Sequence, residues 1–325
     1  MAEDPALEGP GFARPVPPGG YAWWYLDAIS DDGREALSLI AFIGSVFSPY
    51  YAWSGRREPE AHCAVNLALY SPGSARWTMT ERGAGALSRD AFHYSLGPSS
   101  LTWDGNALSA EIDEVAFPRM TRVRGSLRAI PEALYQQSFS IDREERHRWR
   151  PIAPRLRLEV RFERPALAWQ GWGYLDCNWG SMMLEESFPR WDWSRGAGAK
   201  RDYVLYDTWE HGDTGKHGDT GMHGGATRSL ALSFDRKGGI EPFEPPPDVR
   251  LPATLWRVPR RTRSEDAGRT RIRRTLLDAP FYARSELEAV LGGEEVKGTH
   301  ESLALTRFAN PLVKLMLPFR MPRRA

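Results

Sequence analysis

Short apolar and aromatic runs, each cut off by a tight polar turn, recur down this chain. "YAWWYLDAI" and "ALSLIAFIGSVF" flank "SDDG". "HCAVNLALY" (62–70) and "RWTMTE" (76–81) flank "SPGS", and "LTWDGNALSAEIDEV" turns on Asp-Gly-Asn. Runs of this length bounded by Gly, Pro, Asn and Asp read as β-hairpins. "RVRGSLRAI" and "RLRLEVRFE" alternate apolar and basic residues, which is the period of a half-exposed strand. Helical periodicity sustained over a dozen residues is scarce; residues 282–292 are the one stretch that reads as a short helix. The 13 Trp and 11 Tyr suit a pleated surface better than a helical bundle. The expectation is a mainly β protein.

A chain of 325 residues makes one large or two medium domains. "WWYLDA" (23–28) is echoed by "WGYLDC" (172–177), with Tyr25, Leu26 and Asp27 aligned on Tyr174, Leu175 and Asp176. If each copy opens a strand-rich half, the chain divides near "RWRPIAPRL" (148–156). The expected organisation is a proline-rich disordered lead-in over 1–18, a barrel-like domain over 19–156, a second over 157–310, and an apolar and basic tail over 311–325.

Charge excludes several function classes. Lys plus Arg (43) nearly cancels Asp plus Glu (42), so no global field draws the chain to nucleic acid. Glu265 and Asp266 interrupt the arginine-rich stretch from Arg257 to Arg274, which reads as outward-facing arginines on strands and a turn. Two cysteines, Cys63 and Cys177, make no disulfide framework. The start, "MAEDPALEGP", lacks the apolar core of a secretory signal, and "LSLIAFIGSVF" is too short to span a bilayer, so a cytoplasmic protein is expected. The tail, with Lys314, Arg320, Arg323 and Arg324 among large apolar residues, reads either as packed on the second domain or as a peripheral membrane contact. Pro311, Pro318 and Pro322 break any long amphipathic helix there.

No phosphate loop, dinucleotide fingerprint or G-x-S-x-G elbow is present. His211, His217 and His223 recur every six residues with Asp213 and Asp219 between them. That spacing fits no common zinc pattern, and its glycines make ligand placement entropically costly, so it reads as an expanded loop and no metal site is expected. Cys177 reads as a small buried thiol. What remains are aromatic–acid pairs: Tyr25 and Asp27, Tyr174 and Asp176, Tyr206 and Asp207. Residues i and i+2 of a strand share a face, so each of the first two pairs points one way, as do His147 and Trp149 if extended. A carboxyl among rings has its pKa raised by desolvation and can serve as a general acid, and ring faces stabilise a cation by up to about 2 kcal/mol each once water is excluded. This chemistry suits protonation of an apolar alkene. The residues alone do not rank the pairs.

The runs "SLIAFIGSVFSPYYAWSGRREPEAHCAVNLALY", "RWTMTER", "GYLDCNWG", "FPRWDWSR", "VLYDTW" and "LDAPFYARS" resemble the carotenoid 1,2-hydratases, also called hydroxyneurosporene synthases, over residues 18–308. The resemblance implies two consecutive lipocalin-like (calycin) β-barrels. It also implies a cofactor-independent hydro-lyase that adds water to the terminal double bond of an acyclic carotenoid such as neurosporene or lycopene, giving a tertiary alcohol. The family's His-x-Trp and Tyr-x-Asp pattern falls on His147 and Trp149, then Tyr174 and Asp176. It implies that Asp176 is the proton donor, that Trp149 and Tyr174 stabilise the cation, and that His147 positions water or accepts its proton. Asp207 stays a rival acid. Hydration of another acyclic isoprenoid, or a lipocalin-like carrier without catalysis, are the alternative readings.

Overall fold

The computed structural model describes residues 9–211 and 228–324. The fold is mainly β, and the chain forms two compact units: residues 1–139, 146–183 and 315–325 make the first, and 140–145 with 184–314 the second.

The first unit contains β1 (Tyr21–Ser30), β2 (Ala36–Ile43), β3 (Cys63–Ser71), β4 (Ser74–Arg82), β5 (Leu87–Arg89), β6 (His93–Leu96), β7 (Ser99–Trp103), β8 (Leu108–Ala116) and β9 (Thr121–Pro131). After the short β10 (Phe139–Ser140) come two long strands, β11 (His147–Arg164) and β12 (Leu167–Gly180). The hairpins expected from the turn signals form: β1 pairs β2, β3 pairs β4 and β7 pairs β8, all antiparallel. The sheet runs β4-β3-β2-β1-β12-β11-β9-β8, and a bridge between Thr78 and Ala116 joins β4 to β8, closing the circuit.

The boundary near 148–156 therefore falls inside β11. Its cause is the pairing of β12 with β1, which recruits residues 147–180 to the first sheet. The echo does not open two halves. It lies on neighbouring strands, Tyr25 opposite Asp176, Leu26 opposite Leu175 and Asp27 opposite Tyr174.

One face of this sheet builds the apolar core from Trp24, Leu26, Leu39, Val65, Leu67, Leu175 and Cys177. The lead-in, over its described part, is also ordered. Phe12 is fully buried against Trp24, with ring centroids 5.0 Å apart, and near Tyr94 at 6.0 Å. Arg89 holds the carbonyls of Phe12 and Arg14 at 2.6 and 3.0 Å. An aromatic anchor and a half-buried cation outweigh the disorder that proline content suggests. Residues of the C-terminal tail return to the same sheet, where Arg323–Arg324 pair in parallel with Glu81 and Arg82 of β4.

In the second unit, β13 (Arg190–Ala197), β14 (Asp202–Trp209), β15 (Arg228–Phe234) and β16 (Ile240–Pro242) share a sheet with β19 (Arg271–Asp278), β20 (Tyr282–Leu291) and β21 (Glu294–Ala304). β17 (Asp248–Leu251) and β18 (Arg260–Arg263) form a separate ribbon. Of residues 282–292, read above as a helix, Tyr282–Leu291 are β20 instead. It is paired on both sides, and Gly292 and Gly293, at φ +60 and +74, make the tight turn into β21. Sheet pairing overrides the local propensity of "SELEAVL". Several of the arginines of 257–274 face outward and pair with acids of their own sheet: Arg271 and Arg273 with Glu288, and Arg274 with Glu286.

Phe12→Ala is expected to destabilise the protein by about 3–5 kcal/mol, the cost of deleting a fully buried ring. Urea unfolding measures it; a change below about 0.5 kcal/mol would return residues 9–18 to the disordered lead-in.

Candidate active site

The second face of the first sheet is buried as well. Along β1 it carries Tyr21, Trp23, Tyr25 and Asp27, along β12 Tyr174, Asp176 and Asn178, and along β11 His147 and Trp149, each at most 7% exposed. Strand alternation selects these residues, and register assembles them in rows. Trp149 lies opposite Asn178, which lies opposite Trp23; Asp176 lies opposite Tyr25; Tyr174 lies opposite Asp27.

A buried carboxylate must be hydrogen-bonded or it costs several kcal/mol. Asp176 receives the indole N–H of Trp149 and the hydroxyl of Tyr174, both at 2.8 Å and both on Oδ2. The same indole nitrogen lies 3.2 Å from the Tyr174 oxygen, so the three groups form one cluster. Burial raises the Tyr174 phenol well above its ordinary pKa, with the Asp176 charge and hydrogen bond, and the Asp27 charge, adding to the rise. The hydroxyl therefore stays a donor. An oxygen that already receives two donors is a poor seat for a proton, so in the neutral acid Oδ2 is the carbonyl oxygen and Oδ1 bears the O–H.

His147 sits at the edge of this face. Its Nδ1 is 2.9 Å from the Tyr21 hydroxyl, across the intervening strand. Gly180 permits that approach: a Cβ there would lie 2.8 Å from both His147 Nδ1 and the Tyr21 ring. Tyr21 stacks on Trp23 at 4.9 Å, and Phe139 packs on Trp149 at 5.7 Å, so rings continue beyond the acid.

The four residues picked from the sequence thus share one sheet face, and Trp149, Tyr174 and Asp176 are in mutual contact. His147 is opposite Gly180, four residues along β12 from Asp176, which is roughly 13 Å of strand. Tyr25 and Asp27 belong to the same face, with Tyr25 donating to Asp27 Oδ2 at 3.1 Å and its ring 6.4 Å from that of Tyr174. Sequence reasoning left this pair out of the site. The echo was the signal that could have included it.

The rival acid has a charged partner. Asp207 receives Arg263 Nε at 2.9 and 2.8 Å on its two oxygens and the Ser229 hydroxyl at 2.5 Å, a charge-assisted arrangement. Its cross-strand partner Asp192 is held by Arg190 and Ser302. Ser302 donates to Asp192, so it accepts from His300 Nε2 at 3.0 Å; His300 Nδ1 then accepts from Ser194 at 2.9 Å. Burial raises the Asp192 carboxyl from 3.8 to about 6. Burial, with the Arg260 and Arg190 charges, lowers His300 from 6.5 to about 3. This is an internal network of arginines, hydroxyls and an imidazole, with the Trp209 ring 4.4 Å from the Arg190 guanidinium.

Both cysteines are buried and unbridged, and burial lifts Cys177 to about 11, so it is an inert thiol at neutral pH. Of the histidine repeat, His211 is described and exposed, its Nε2 near the Glu185 carbonyl at 3.1 Å. Asp213, His217, Asp219 and His223 lie outside the described residues. Among the described residues no group of three or more His, Cys, Asp or Glu side chains is placed to hold a metal. A surface groove lined by Ile112, Arg124, Phe162 and Leu167 lies at the other end of β11 and contains none of the candidates.

Fold and site together define a class: a β-rich protein that buries an acid against indole and phenol donors. The fold is shared with the crystal structure of a putative AttH from Nitrosomonas europaea, at TM-score 0.56 and 14% identity over 92% of this chain and 99% of that one. The sequence is 52% identical to the acyclic carotenoid 1,2-hydratase of Thiocapsa roseopersicina, over 98% of this chain and 77% of that protein. It is 48% identical to the enzyme of the same name from Rubrivivax gelatinosus, over 97% and 76%. Residues 39–325 match the carotenoid hydratase CrtC family, and the chain belongs to that family.

The Asp192 shift carries a testable sign. Between about pH 4 and 6 the native carboxyl keeps a proton that the unfolded chain has lost, so this group's contribution to stability falls as pH rises through that window. Asp192→Asn removes it. The stability of the variant relative to wild type should climb from pH 4 to 6 and level off above, as followed by urea midpoints; a flat difference would mean that Asp192 titrates normally.

Proposed function

We propose that this chain hydrates the terminal carbon–carbon double bond of acyclic carotenoids such as neurosporene or lycopene, giving the 1-hydroxy compound. Asp176, held by two ring donors on one oxygen inside a buried aromatic face, is the observation that carries this reading. Its named relatives in the CrtC family support it.

Asp176 Oδ1–H gives its proton to the less substituted alkene carbon, and the π electrons form the new C–H bond. Positive charge then sits on the dimethyl carbon. The ring faces around Asp176, those of Trp149 and Tyr174 first, lower the energy of that cation by up to about 2 kcal/mol each in the absence of bulk water. Their polar edges meanwhile keep the carboxyl group aligned. Water adds to the cation, with His147 and its Tyr21 partner ordering water at the edge of the aromatic face. No cofactor takes part in this scheme.

Two lipocalin-like barrels are proposed as the architecture, one in each unit, supported in the first by the closed strand circuit. No helix among the described residues is long and apolar enough to cross a membrane. A peripheral position on the inner face of the cell membrane is supported by the tail. Leu315, Met316 and Phe319 are 57, 49 and 77% exposed. Arg320 lies over the Trp77 ring at 4.9 Å and Arg323 pairs with Glu81, so this apolar stripe is displayed from a fixed base. Such a stripe beside cations suits an anionic lipid surface.

Purified protein treated with a chelator and given lycopene should yield a product heavier by one water. Asp176→Asn keeps the shape and removes the acid, and its rate should fall by at least about 100-fold with little change in unfolding midpoint. A wild-type rate in that variant removes Asp176 from the mechanism, and tight binding with no product favours a carrier. Vesicles containing phosphatidylglycerol should float with the wild type and not with the double variant Leu315→Ser, Phe319→Ser; equal flotation eliminates the tail as the contact.

A further inference from the structure

The water that captures the cation must lose a proton, and the acid must get one back. His147 is roughly 13 Å along the strand from the row of Asp176. Another carboxylate is nearer. Asp27 is directly opposite Tyr174, and Asp176 directly opposite Tyr25, so the two acids occupy one diagonal of a four-residue square and the two tyrosines the other. Cross-strand diagonals are roughly 7 Å between Cβ atoms. Carboxyl groups at about this separation accommodate a water between an acid and a base, as in inverting glycosidases. Asp27 is 2% exposed, and its Oδ2 receives Tyr25 at 3.1 Å as the Oδ2 of Asp176 receives Tyr174 at 2.8 Å.

We infer that Asp27 is the base of the reaction: it takes the proton of the attacking water. The inference rests on the hydratase reading above. The balance is complete without another reactant. The Asp176 O–H bond breaks as the C–H bond forms. A water lone pair forms the C–O bond, and that water's O–H bond breaks, its proton passing to the Asp27 carboxylate. Asp176 is then a carboxylate and Asp27 an acid. Tyr174 faces Asp27 and is bonded to Asp176, so its hydroxyl hands its own proton to Asp176 Oδ2 while taking the one on Asp27, and rotation of the carboxyl about Cβ–Cγ exchanges its two oxygens and returns the O–H to the Oδ1 position. The sum is alkene plus water giving alcohol, with the protein restored. The two Tyr-x-Asp copies have unequal tasks: the β12 copy, with the extra indole donor of Trp149, delivers the proton, and the β1 copy collects one.

Deuterium separates the two tasks. Wild-type protein, Asp27→Asn, Tyr25→Phe and Asp176→Asn are each given lycopene in D2O, and both hydrated product and deuterium in recovered lycopene are measured. With the base lost, protonation still occurs but the cation returns its proton to Asp176, leaving deuterium in the alkene. Asp27→Asn should lose hydration by at least about 100-fold while exchange into recovered lycopene continues. Tyr25→Phe, which removes only the hydroxyl on Asp27, should lower the ratio of hydration to exchange severalfold, and it decides the question if Asp27→Asn does not fold. Asp176→Asn should lose both. Hydration by folded Asp27→Asn at the wild-type rate overturns the inference, as does a parallel loss of hydration and exchange, or an unchanged ratio in Tyr25→Phe. Absence of both signals in the wild type instead overturns the hydratase reading itself.

Discussion

The register of β1 on β12 is the constraint on which the site depends. Leu26 opposite Leu175 sets it from the core side, and the same alignment puts Tyr25 on Asp176 and Asp27 on Tyr174 across the other face. Side chains alternate with period two, so a slip of one residue in either strand would turn that strand's carboxylate into the cluster of Trp24, Val65 and Leu67 and expel its leucine. Burying a carboxyl group in a cavity without donors costs far more than any cross-strand contact returns. The apolar face therefore specifies the polar one. The site is accurate because the core on the opposite side tolerates no other alignment.

A sheet buried on both faces must find donors for the acids it carries, and the two units do so with different partners. Around Asp207 and Asp192 the donors are arginines and hydroxyls, and Arg263 makes a fixed ion pair with Asp207. Around Asp176 they are an indole and a phenol, neutral groups with broad apolar faces. A guanidinium stabilises the carboxylate against burial, whereas a neutral donor bonds either form.

Much of the local architecture was legible because period-two alternation and tight turns are local signals: the β1–β2, β3–β4 and β7–β8 hairpins could be read directly from Asp-Gly and Pro-Gly. Long-range pairing leaves no such mark. β1 and β12 are separated by more than a hundred residues, and the echo of Tyr-Leu-Asp, which marks their partnership, was read as two domain openings instead. The same blindness misplaced the boundary inside β11 and turned β20 into a helix, since its strand state comes from neighbours on both sides. Proline content at the N-terminus hid Phe12, whose burial is a tertiary fact. At the site, the family pattern named Trp149, Tyr174 and Asp176, which are in contact; it could not name Asp27, whose place appears only when register is known.

Hydration of an alkene makes contradictory demands. Proton transfer to carbon requires an acid kept neutral by exclusion of water, yet the cation must then meet a water before it loses its proton again. A uniformly apolar cavity would meet the first demand and fail the second. A face on which Asp and Tyr alternate in both directions meets both, because each carboxyl group has a phenol beside it on its own strand and another across the ladder. The aromatic bodies make the apolar part of that face, while their hydroxyl edges form a polar seam along it. Antiparallel pairing of two Tyr-x-Asp segments is an economical way to obtain that seam, because a single register places four polar edges on one diagonal square and leaves the opposite face of both strands wholly apolar.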